Sequence, residues 1–571
     1  MRMKLVKPIL TIGLAFLLSG CIAHPAQKND GVISVNTEVS AFQASYHYSL
    51  GVLLLLDEKS GEAVSEFETA LRYDPKSTSL VAELAVLYNE KGEIKKSIEL
   101  LDNALVNHPR DAELHFLLAG AYINLKDFKN AIAEYRKVIE LDPKNVTAYL
   151  YLGTLYADQK NYDQSMETFR KVISLDPDDP MGYYYLAKIL VELKRYGEAE
   201  TALKKSMAIK PSFEPTVIDL GFLYQKQKKN ALAIDLYRNF ITLYPATIKV
   251  RIRLGDVLLK EKRFDEADRE LKAILIQNPV NQELLLTIGV MYLEADRLGQ
   301  AIALFSNYLK THPEDQKVRF FLASAYEERK LYGHALDAFK MITPDSEFYI
   351  NAQIHVGTIL KKEKKIDEAI KTLILAISQK RQPGDYLYIL LATLYEDNKN
   401  ISESEKVLKE GLSVSPKSLD ILYSLGVLYE KTDRFEEGIR QMKLILELDP
   451  DHADSLNFIG YSYAERGIHL REAEEMIKKA LTLKPGNAYI IDSLGWVYFK
   501  QNKIDQAIKY LKEATSLMPD DAAITEHLGD VYVQTGRFRE ALDIYKRSLQ
   551  LNPDKETLQK KISDLLKKNN P

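Results

Sequence analysis

The segment of residues 145–178, NVTAYLYLGTLYADQKNYDQSMETFRKVISLDPD, contains one complete unit of a pattern that recurs along the chain. Gly153 is followed three residues later by Tyr156, and Ser165 is followed four residues later by Phe169. Residues three and four apart lie on the same face of a helix, so each pair of a small and a large side chain predicts one helix. The unit therefore predicts a helical hairpin.

The period of the pattern is 34 residues, and a repeat of this length indicates stacked supersecondary units. The place of Gly153, called here the small position, holds Gly or Ala in fifteen of fifteen units. The fifteen residues are Gly51, Ala85, Ala119, Gly153, Ala187, Gly221, Gly255, Gly289, Ala323, Gly357, Ala392, Gly426, Gly460, Gly495 and Gly529. Two antiparallel helices approach closely only where a side chain is small. The sequence therefore predicts an array of tightly packed hairpins.

Proline closes most units after the second helix, because it cannot donate the backbone hydrogen bond that would continue the helix. Examples are Pro75, Pro109, Pro143, Pro177 and Pro211. Together with the small positions, these residues resemble the tetratricopeptide repeat (TPR) pattern over roughly 90% of the chain. The resemblance implies an all-α fold, an α-solenoid in which about 15 helix-turn-helix repeats form a right-handed superhelix.

The array is expected to contain one break and a terminal cap. Pro344 shortens the second helix of the ninth unit, and residues 382–384 add a residue after the tenth. We therefore expect repeats 1–9 at residues 44–349 and repeats 10–15 at residues 350–555. Residues 556–571 are expected to form a capping helix and tail, because Leu558, Ile562, Leu565 and Leu566 share one face.

The N-terminus has the layout of a cleavable secretory signal. Basic residues precede an apolar run at 8–18, which is too short to span a bilayer, and small residues lead to the only cysteine, Cys21. Residues 18–21, LSGC, resemble the bacterial lipobox. The resemblance implies a signal peptide at 1–20, diacylglyceryl transfer to Cys21, and an acylated tether at 21–43. An ordinary secretory signal with an incidental cysteine is the alternative interpretation.

The localisation that follows is the cell envelope, with the chain held by lipid. Ile22 stands after the cysteine where Asp would favour retention in the inner membrane. The expectation is therefore an outer-membrane lipoprotein that faces the periplasm.

Composition and motifs argue against several other functions. The net charge of −4 arises from 77 basic and 81 acidic residues in mixed order, which disfavours binding of nucleic acid. The sequence contains no HExxH, GxSxG or GxxxxGK[ST] motif and no paired His/Cys spacing. We therefore predict a protein that is not an enzyme and has no metal, cofactor or small-molecule substrate.

The residue three places before the small position is expected to face the concave groove of the array. It is apolar or aromatic in the first twelve units and becomes polar or acidic in the last three. These three residues, with the residue after the small position, form the candidate partner-binding set Asn457, Tyr461, Asp492, Trp496, Glu526 and Asp530. Trp496, the only tryptophan, is the possible anchor. The alternative is that these side chains pack between hairpins.

Two functions remain open at this point. The C-terminal block resembles that of many TPR lipoproteins of Gram-negative bacteria, which implies a scaffold for protein partners in assembly of a pilus, secretion or polysaccharide-export machine. The alternative is an adaptor that binds and regulates a cell-wall or glycan-processing enzyme encoded elsewhere. In both, the partner is a protein held in the groove, and the lipid holds the chain on the membrane.

Overall fold

The computed structural model describes residues 35–380, 382–551 and 556–569. The predicted signal peptide and Cys21 lie outside the described residues. Helices account for about four fifths of the described chain, and the part described contains no strand. The helices are α1 (Val35–Leu56), α2 (Ser60–Tyr73), α3 (Thr78–Glu90), α4 (Ile94–Asn107), α5 (Ala112–Leu125), α6 (Phe128–Leu141), α7 (Val146–Asp158), α8 (Tyr162–Leu175), α9 (Pro180–Glu192), α10 (Tyr196–Ile209), α11 (Glu214–Lys226), α12 (Asn230–Leu243), α13 (Ile248–Lys260), α14 (Phe264–Gln277), α15 (Gln282–Glu294), α16 (Leu298–Leu309), α17 (Gln316–Glu328), α18 (Tyr332–Lys340), α19 (Tyr349–Lys362), α20 (Ile366–Ser378), α21 (Asp385–Asp397), α22 (Ile401–Val414), α23 (Leu419–Lys431), α24 (Phe435–Leu448), α25 (Ala453–Arg466), α26 (Leu470–Leu483), α27 (Ala488–Lys500), α28 (Ile504–Leu517), α29 (Ala522–Gln534), α30 (Phe538–Leu551) and α31 (Glu556–Asn569).

The predicted hairpins are present, and each pairs an odd-numbered helix with the even-numbered helix that follows it. At the small position the partner helix places a large side chain directly against the backbone. A Cβ added to Gly153 would lie 2.6 Å from Cε1 of Phe169, which is fully buried. Tyr237 and Phe305 face Gly221 and Gly289 in the same way. Close packing of an aromatic ring on glycine is therefore what joins the two helices of these hairpins.

The turn between the two helices of each hairpin uses one residue in the left-handed region. In many hairpins this residue is a lysine, as at Lys160, Lys194 and Lys228, with φ of 58° to 59°. Three hairpins place glycine there, at Gly92, Gly467 and Gly536, and the turn at Gly467 contains a second residue of positive φ, His469. The left-handed residue reverses the chain within a few residues, which keeps the helices of a hairpin antiparallel and adjacent.

The connection from one hairpin to the next supplies the cap for the following helix. After the helix-ending proline, a side chain such as Ser77, Asp111 or Asn145 accepts a hydrogen bond from a backbone N–H of the first turn. These residues satisfy amide groups that have no partner within the helix. Proline and cap together set the sharp boundary between repeats.

Tyrosine at the position three residues after the small one connects neighbouring hairpins. The hydroxyl of Tyr429 donates to Glu405 of the preceding hairpin at 3.0 Å, and Tyr498 donates to Glu474 at 3.2 Å. Arg434 and Lys409 also contact Glu405, and their hydrogen bonds outweigh its burial and lower its pKa to about 2. The recurrent tyrosine thus has an apolar body in the core and a polar tip that fixes the stacking register.

The expected irregularities are visible but do not interrupt the core. Helix α18 has only 9 residues and ends before Pro344, and Gly384 precedes α21 with φ of 87°. One cluster of buried apolar side chains nevertheless runs from Ala323 to Tyr429. The core therefore continues through the predicted division between residues 349 and 350.

The chain divides into two compact units at a different place, between Ile274 and Leu275 within α14. The first unit contains α1 to α13 and the greater part of α14. The second unit begins with the last residues of α14 and extends to α31, which covers the final hairpin with Leu558 and Leu565, both buried. This agrees with the capping helix expected from the sequence.

The first helix is longer than expected. It begins at Val35, so residues 35–43, assigned from sequence to the tether, are helical. The segment lacks proline and glycine, and Ser40 donates to the backbone oxygen of Tyr73 in α2 at 2.7 Å. By length and composition the window Val39–Leu56, with mean hydropathy 1.2, could cross a membrane, and no other described helix meets that test.

Candidate partner-binding site in the last three repeats

The candidate residues lie on α25, α27 and α29, the first helices of the last three hairpins, within the second compact unit. Each helix presents two of them one turn apart, which places both on the same helix face. The structure brings five of the six into contact with one of two basic side chains, His527 of α29 and Lys561 of α31.

His527 is the centre of the first group. Its Nδ1 lies 2.8 Å from Oδ2 of Asp492, and its ring stacks on Trp496 at 4.3 Å between centroids and 24° between planes. The hydroxyl of Tyr461 lies 3.5 Å from Nε2. One imidazole thus joins side chains from three successive hairpins.

The protonation of His527 follows from its surroundings. Burial disfavours the imidazolium, but the hydrogen bond and negative charge of Asp492, with Asp530 and Glu465 nearby, outweigh it. The pKa of His527 is therefore raised above its ordinary value. A protonated ring would donate from Nδ1 to the carboxylate, forming a charge-assisted hydrogen bond.

Trp496, the possible anchor, is almost completely covered. Only 6% of the residue is exposed, and the indole N–H donates to Oε2 of Glu465 at 2.6 Å. The ammonium of Lys500 lies 5.0 Å from the centroid of the indole ring. Its polar atom therefore has a hydrogen-bond partner, and its ring contacts both His527 and Lys500. The role of Trp496 as a partner anchor stays a prediction, and its burial favours a structural contribution.

Lys561 is the centre of the second group. Its Nζ donates to Glu526 at 2.9 Å and to Asp530 at 2.6 Å, and Asp530 also accepts a hydrogen bond from Tyr545. Burial opposes the charge on the ammonium, but the hydrogen bonds to Asp530 and Glu526 outweigh it, so the pKa of Lys561 is raised. The capping helix is therefore attached by charge as well as by apolar contacts.

The two groups have the same geometry. In each, the acid lies three residues before the small position and the base lies 35 residues later, on the next first helix. We call the pairs Asp492–His527 and Glu526–Lys561 the acid–base ladder. Because the spacing is equal, each acidic side chain that replaces an apolar one at this end of the array has a basic partner on the next first helix or the capping helix.

Asn457 and one oxygen of Asp492 are outside the ladder. Oδ1 of each is buried and has no hydrogen-bond partner in the described structure. The turn of hairpin 13, where Gly467 and His469 both have positive φ, contains one extra residue. The small positions of hairpins 13 and 14, Gly460 and Gly495, are therefore 35 residues apart instead of 34. The site can accept further hydrogen bonds here.

The acidic and aromatic members of the site were predicted from the sequence. It was not predicted that Glu465 accepts a hydrogen bond from Trp496 or that His527 and Lys561 pair with the acids. The 35-residue spacing was the available signal, since a base follows each acid at that distance. Among the residues described, no group of His, Cys, Asp and Glu is arranged to hold a metal ion. The arrangement provides hydrogen bonds and aromatic contacts between the last three hairpins and the capping helix.

In the first compact unit, a more accessible aromatic residue occupies the position directly after the small one. Phe222 follows the small residue Gly221, as Trp496 follows Gly495, but it is 50% exposed. Lys226, one turn later on α11, has its ammonium 5.2 Å from the Phe222 ring. Half-exposed aromatic side chains of this kind can contact a partner without unfolding the repeat.

Comparison with known families supports the repeat assignment directly. Four models described as tetratricopeptide repeat match residues 83–146, 219–247, 252–310, 286–348, 386–418, 419–452, 469–524 and 498–565. Together they cover more than half of the chain. A model for subunit 3 of the anaphase-promoting complex, or cyclosome, matches residues 124–206.

Two curated relatives match part of the chain. The TPR repeat-containing protein PA4667 of Pseudomonas aeruginosa is 31% identical over 176 residues, which are 31% of this chain and 30% of that protein. The protein O-mannosyl-transferase Tmtc1 of Drosophila melanogaster is 28% identical over 103 residues, 17% of this chain and 12% of that protein. The matches therefore span less than a third of either relative.

Matches among solved structures include yeast Tom70, at 15% identity and a TM-score of 0.37, covering 74% of this chain and 95% of that chain. The Cut9 and Hcn1 complex of the anaphase-promoting complex matches at 15% identity and a TM-score of 0.36, covering 86% and 97%. Tetratricopeptide repeats mediate interactions between proteins. With its 34-residue period, its hairpins and the family models that match most of its repeats, the chain belongs to the tetratricopeptide repeat proteins.

Proposed function

We propose that this protein is a membrane-anchored scaffold that binds protein partners during assembly of a cell-envelope machine. The observation that carries the proposal is the continuous series of repeats, which occupies almost the whole described chain and presents first-helix side chains at regular spacing. Cys21, in its lipobox-like setting, supplies the anchor. The proposed location is the outer membrane, on the periplasmic side.

Partner binding is proposed to use exposed first-helix side chains rather than the covered ones. Phe222 is 50% exposed, and Tyr386 and Tyr489 stand on the first turns of α21 and α27 with about half of their surface free. Aromatic residues of this kind dominate the binding energy of many interfaces. In the last three repeats, Tyr461 is the partly exposed member of the candidate set beside the ladder.

Affinity purification from detergent-solubilised membranes tests the partner class. Recovery of pilus, secretion or export components with the wild-type chain is the expected result. Recovery of cell-wall or glycan-processing enzymes would instead favour the adaptor function. If no protein is enriched over a mock purification, the scaffold proposal fails.

The Phe222→Ala variant tests where the partner binds. It should reduce recovery of the partner with little change in thermal unfolding, because half of the ring is already in water. Val106→Ala is the matched control, since Val106 is an exposed apolar residue on a second helix, α4. Equal recovery by both variants would exclude Phe222 from the binding surface.

The Cys21→Ser variant tests the anchor. It should move the protein from the membrane fraction to the soluble fraction, because no acyl chains can then be attached to residue 21. Metabolic labelling with a fatty-acid analogue should mark the wild type and not the variant. Unchanged fractionation together with absent labelling in the wild type would remove the lipid anchor from the proposal.

A further inference from the structure

The outer side of α1 carries a row of exposed apolar side chains. Val39, Phe42, Tyr46, Leu53 and Leu56 are 53%, 67%, 54%, 59% and 60% exposed. Their spacing of three, four, seven and three residues places them along one side of the helix. We call these five residues the N-terminal stripe.

Two of the five positions of the stripe are buried in the hairpin that follows. Tyr46 and Leu53 correspond, one period later, to Leu80 and Leu87 of α3, each of which is 5% exposed. There the preceding hairpin covers them. Helix α1 belongs to the first hairpin of the described array, so no described hairpin precedes it. Its stripe therefore has apolar side chains of the kind that are buried between hairpins, but they are exposed here.

The helix also has no acidic or basic side chain along the stripe itself, since its single Asp, Glu, Lys or Arg residue is Glu38, directly before Val39. Residues 39–56 include no Asp, Glu, Lys or Arg. The one titratable imidazole, His47, has its Nδ1 2.6 Å from Glu66 of α2. After Glu38, the next charged residue of the chain is Asp57, just past the end of the helix. A surface of this kind is compatible with an apolar medium along its whole length.

A second copy of the chain is a poor fit to the size of the stripe. Five side chains that each leave roughly 100 Å² exposed offer about 500 Å², below the roughly 800 Å² per partner of a stable protein interface. Phe and Tyr in a row of Leu and Val are instead suited to the boundary between lipid headgroups and acyl chains.

We propose that the N-terminal stripe lies against the surface of the lipid bilayer, with α1 parallel to the membrane. This inference rests on the proposed function, because acylated Cys21 would hold the helix there. Residues 22–34 separate Cys21 from the start of α1, so the tether extends at most about 50 Å. Helix α1 stays paired with α2 through the His47–Glu66 and Ser40–Tyr73 contacts, so it lies on the bilayer and does not span it.

Quenching of fluorescence by lipids brominated in their acyl chains tests the contact. The lipidated full-length chain is reconstituted into vesicles of phosphatidylethanolamine and phosphatidylglycerol, as the Phe42→Trp variant and, for comparison, the Tyr386→Trp variant. Both replaced residues are aromatic and more than half exposed. The wild-type signal from Trp496 is subtracted. We expect residue 42 to lose most of its added fluorescence and residue 386 to lose almost none.

Flotation of the same vesicles separates this inference from the anchor itself. If the protein floats but residue 42 is quenched no more than residue 386, the stripe does not touch the bilayer while anchoring stands. If the protein does not float, the anchor fails and this inference fails with it. Cross-linking of two copies through a cysteine in a Phe42→Cys variant, without quenching, would show that a second chain covers the stripe.

Discussion

Adding one methyl group at a small position should loosen a single hairpin. In the Gly153→Ala variant the new Cβ would lie 2.6, 2.8 and 3.0 Å from three ring carbons of Phe169. Favourable carbon contacts lie at about 3.5–4.0 Å, so the buried ring must move by roughly 1 Å. Such overpacking lowers the free energy of unfolding by about 1–3 kcal/mol, and the better helix propensity of alanine raises it by about 1 kcal/mol.

Gly120→Ala is the matched control, because Gly120 lies in the middle of α5 and an added Cβ there would meet nothing within 4 Å. That variant should gain about 1 kcal/mol from helix propensity alone. The two variants should therefore differ by about 1–3 kcal/mol in the stability of their own hairpins.

Hydrogen exchange read by mass spectrometry is the appropriate assay, because a repeat array opens locally and each repeat depends on its neighbours. Peptides from α7 and α8 should exchange faster in Gly153→Ala, while peptides from α5 and α6 should exchange no faster in Gly120→Ala. Greater protection of α7 and α8 in Gly153→Ala than in the wild type would refute the packing argument.

Three further predictions concern the last repeats and the turns. Trp496→Ala should destabilise α25 to α29 by about 3–5 kcal/mol in urea unfolding, whereas Trp496→Phe keeps most of the apolar contacts; equal stability of both variants would show that the indole is not part of the core. The raised pKa of His527 implies a stabilising contribution that is fully present below the unfolded value of about 6.5 and lost as pH rises through the folded value. Urea unfolding followed by Trp496 fluorescence should therefore show stability falling from neutral to alkaline pH, and His527→Gln should remove that dependence; an unchanged pH profile in the variant would contradict it. Lys364→Gly should raise the melting temperature, because Lys364 has φ of 60° and glycine relieves about 0.5–1 kcal/mol of strain there; a lower melting temperature would show that the lysine side chain contributes more than its backbone costs.

The hairpins were predictable because the signals that produce them are local. Gly153 and Phe169 belong to the same 34-residue unit, and the proline and cap that separate repeats are adjacent in sequence. The all-α fold and the tetratricopeptide repeats are confirmed. The start of α1 was placed nine residues too late, because residues 35–43 precede the first small position and have no repeat signal of their own.

The candidate site was predictable only in part. The change from apolar to polar side chains at Asn457, Asp492 and Glu526 can be read from the repeat pattern of the sequence. The burial of Trp496 could not be predicted in this way. Its exposure depends on how closely His527, from the next hairpin, approaches the ring. The binding role of these residues stays a prediction.

By itself, the sequence determined which residues form helices, where each hairpin turns and which side chains face its partner helix, because these properties depend on neighbours within one repeat. Tertiary structure alone decided that Asp492 meets His527, that Glu526 meets Lys561 and that no other part of the described chain covers the N-terminal stripe of α1. The physical reason is that such contacts depend on the translation and rotation between successive hairpins, which the packing of whole helices sets and no single repeat encodes.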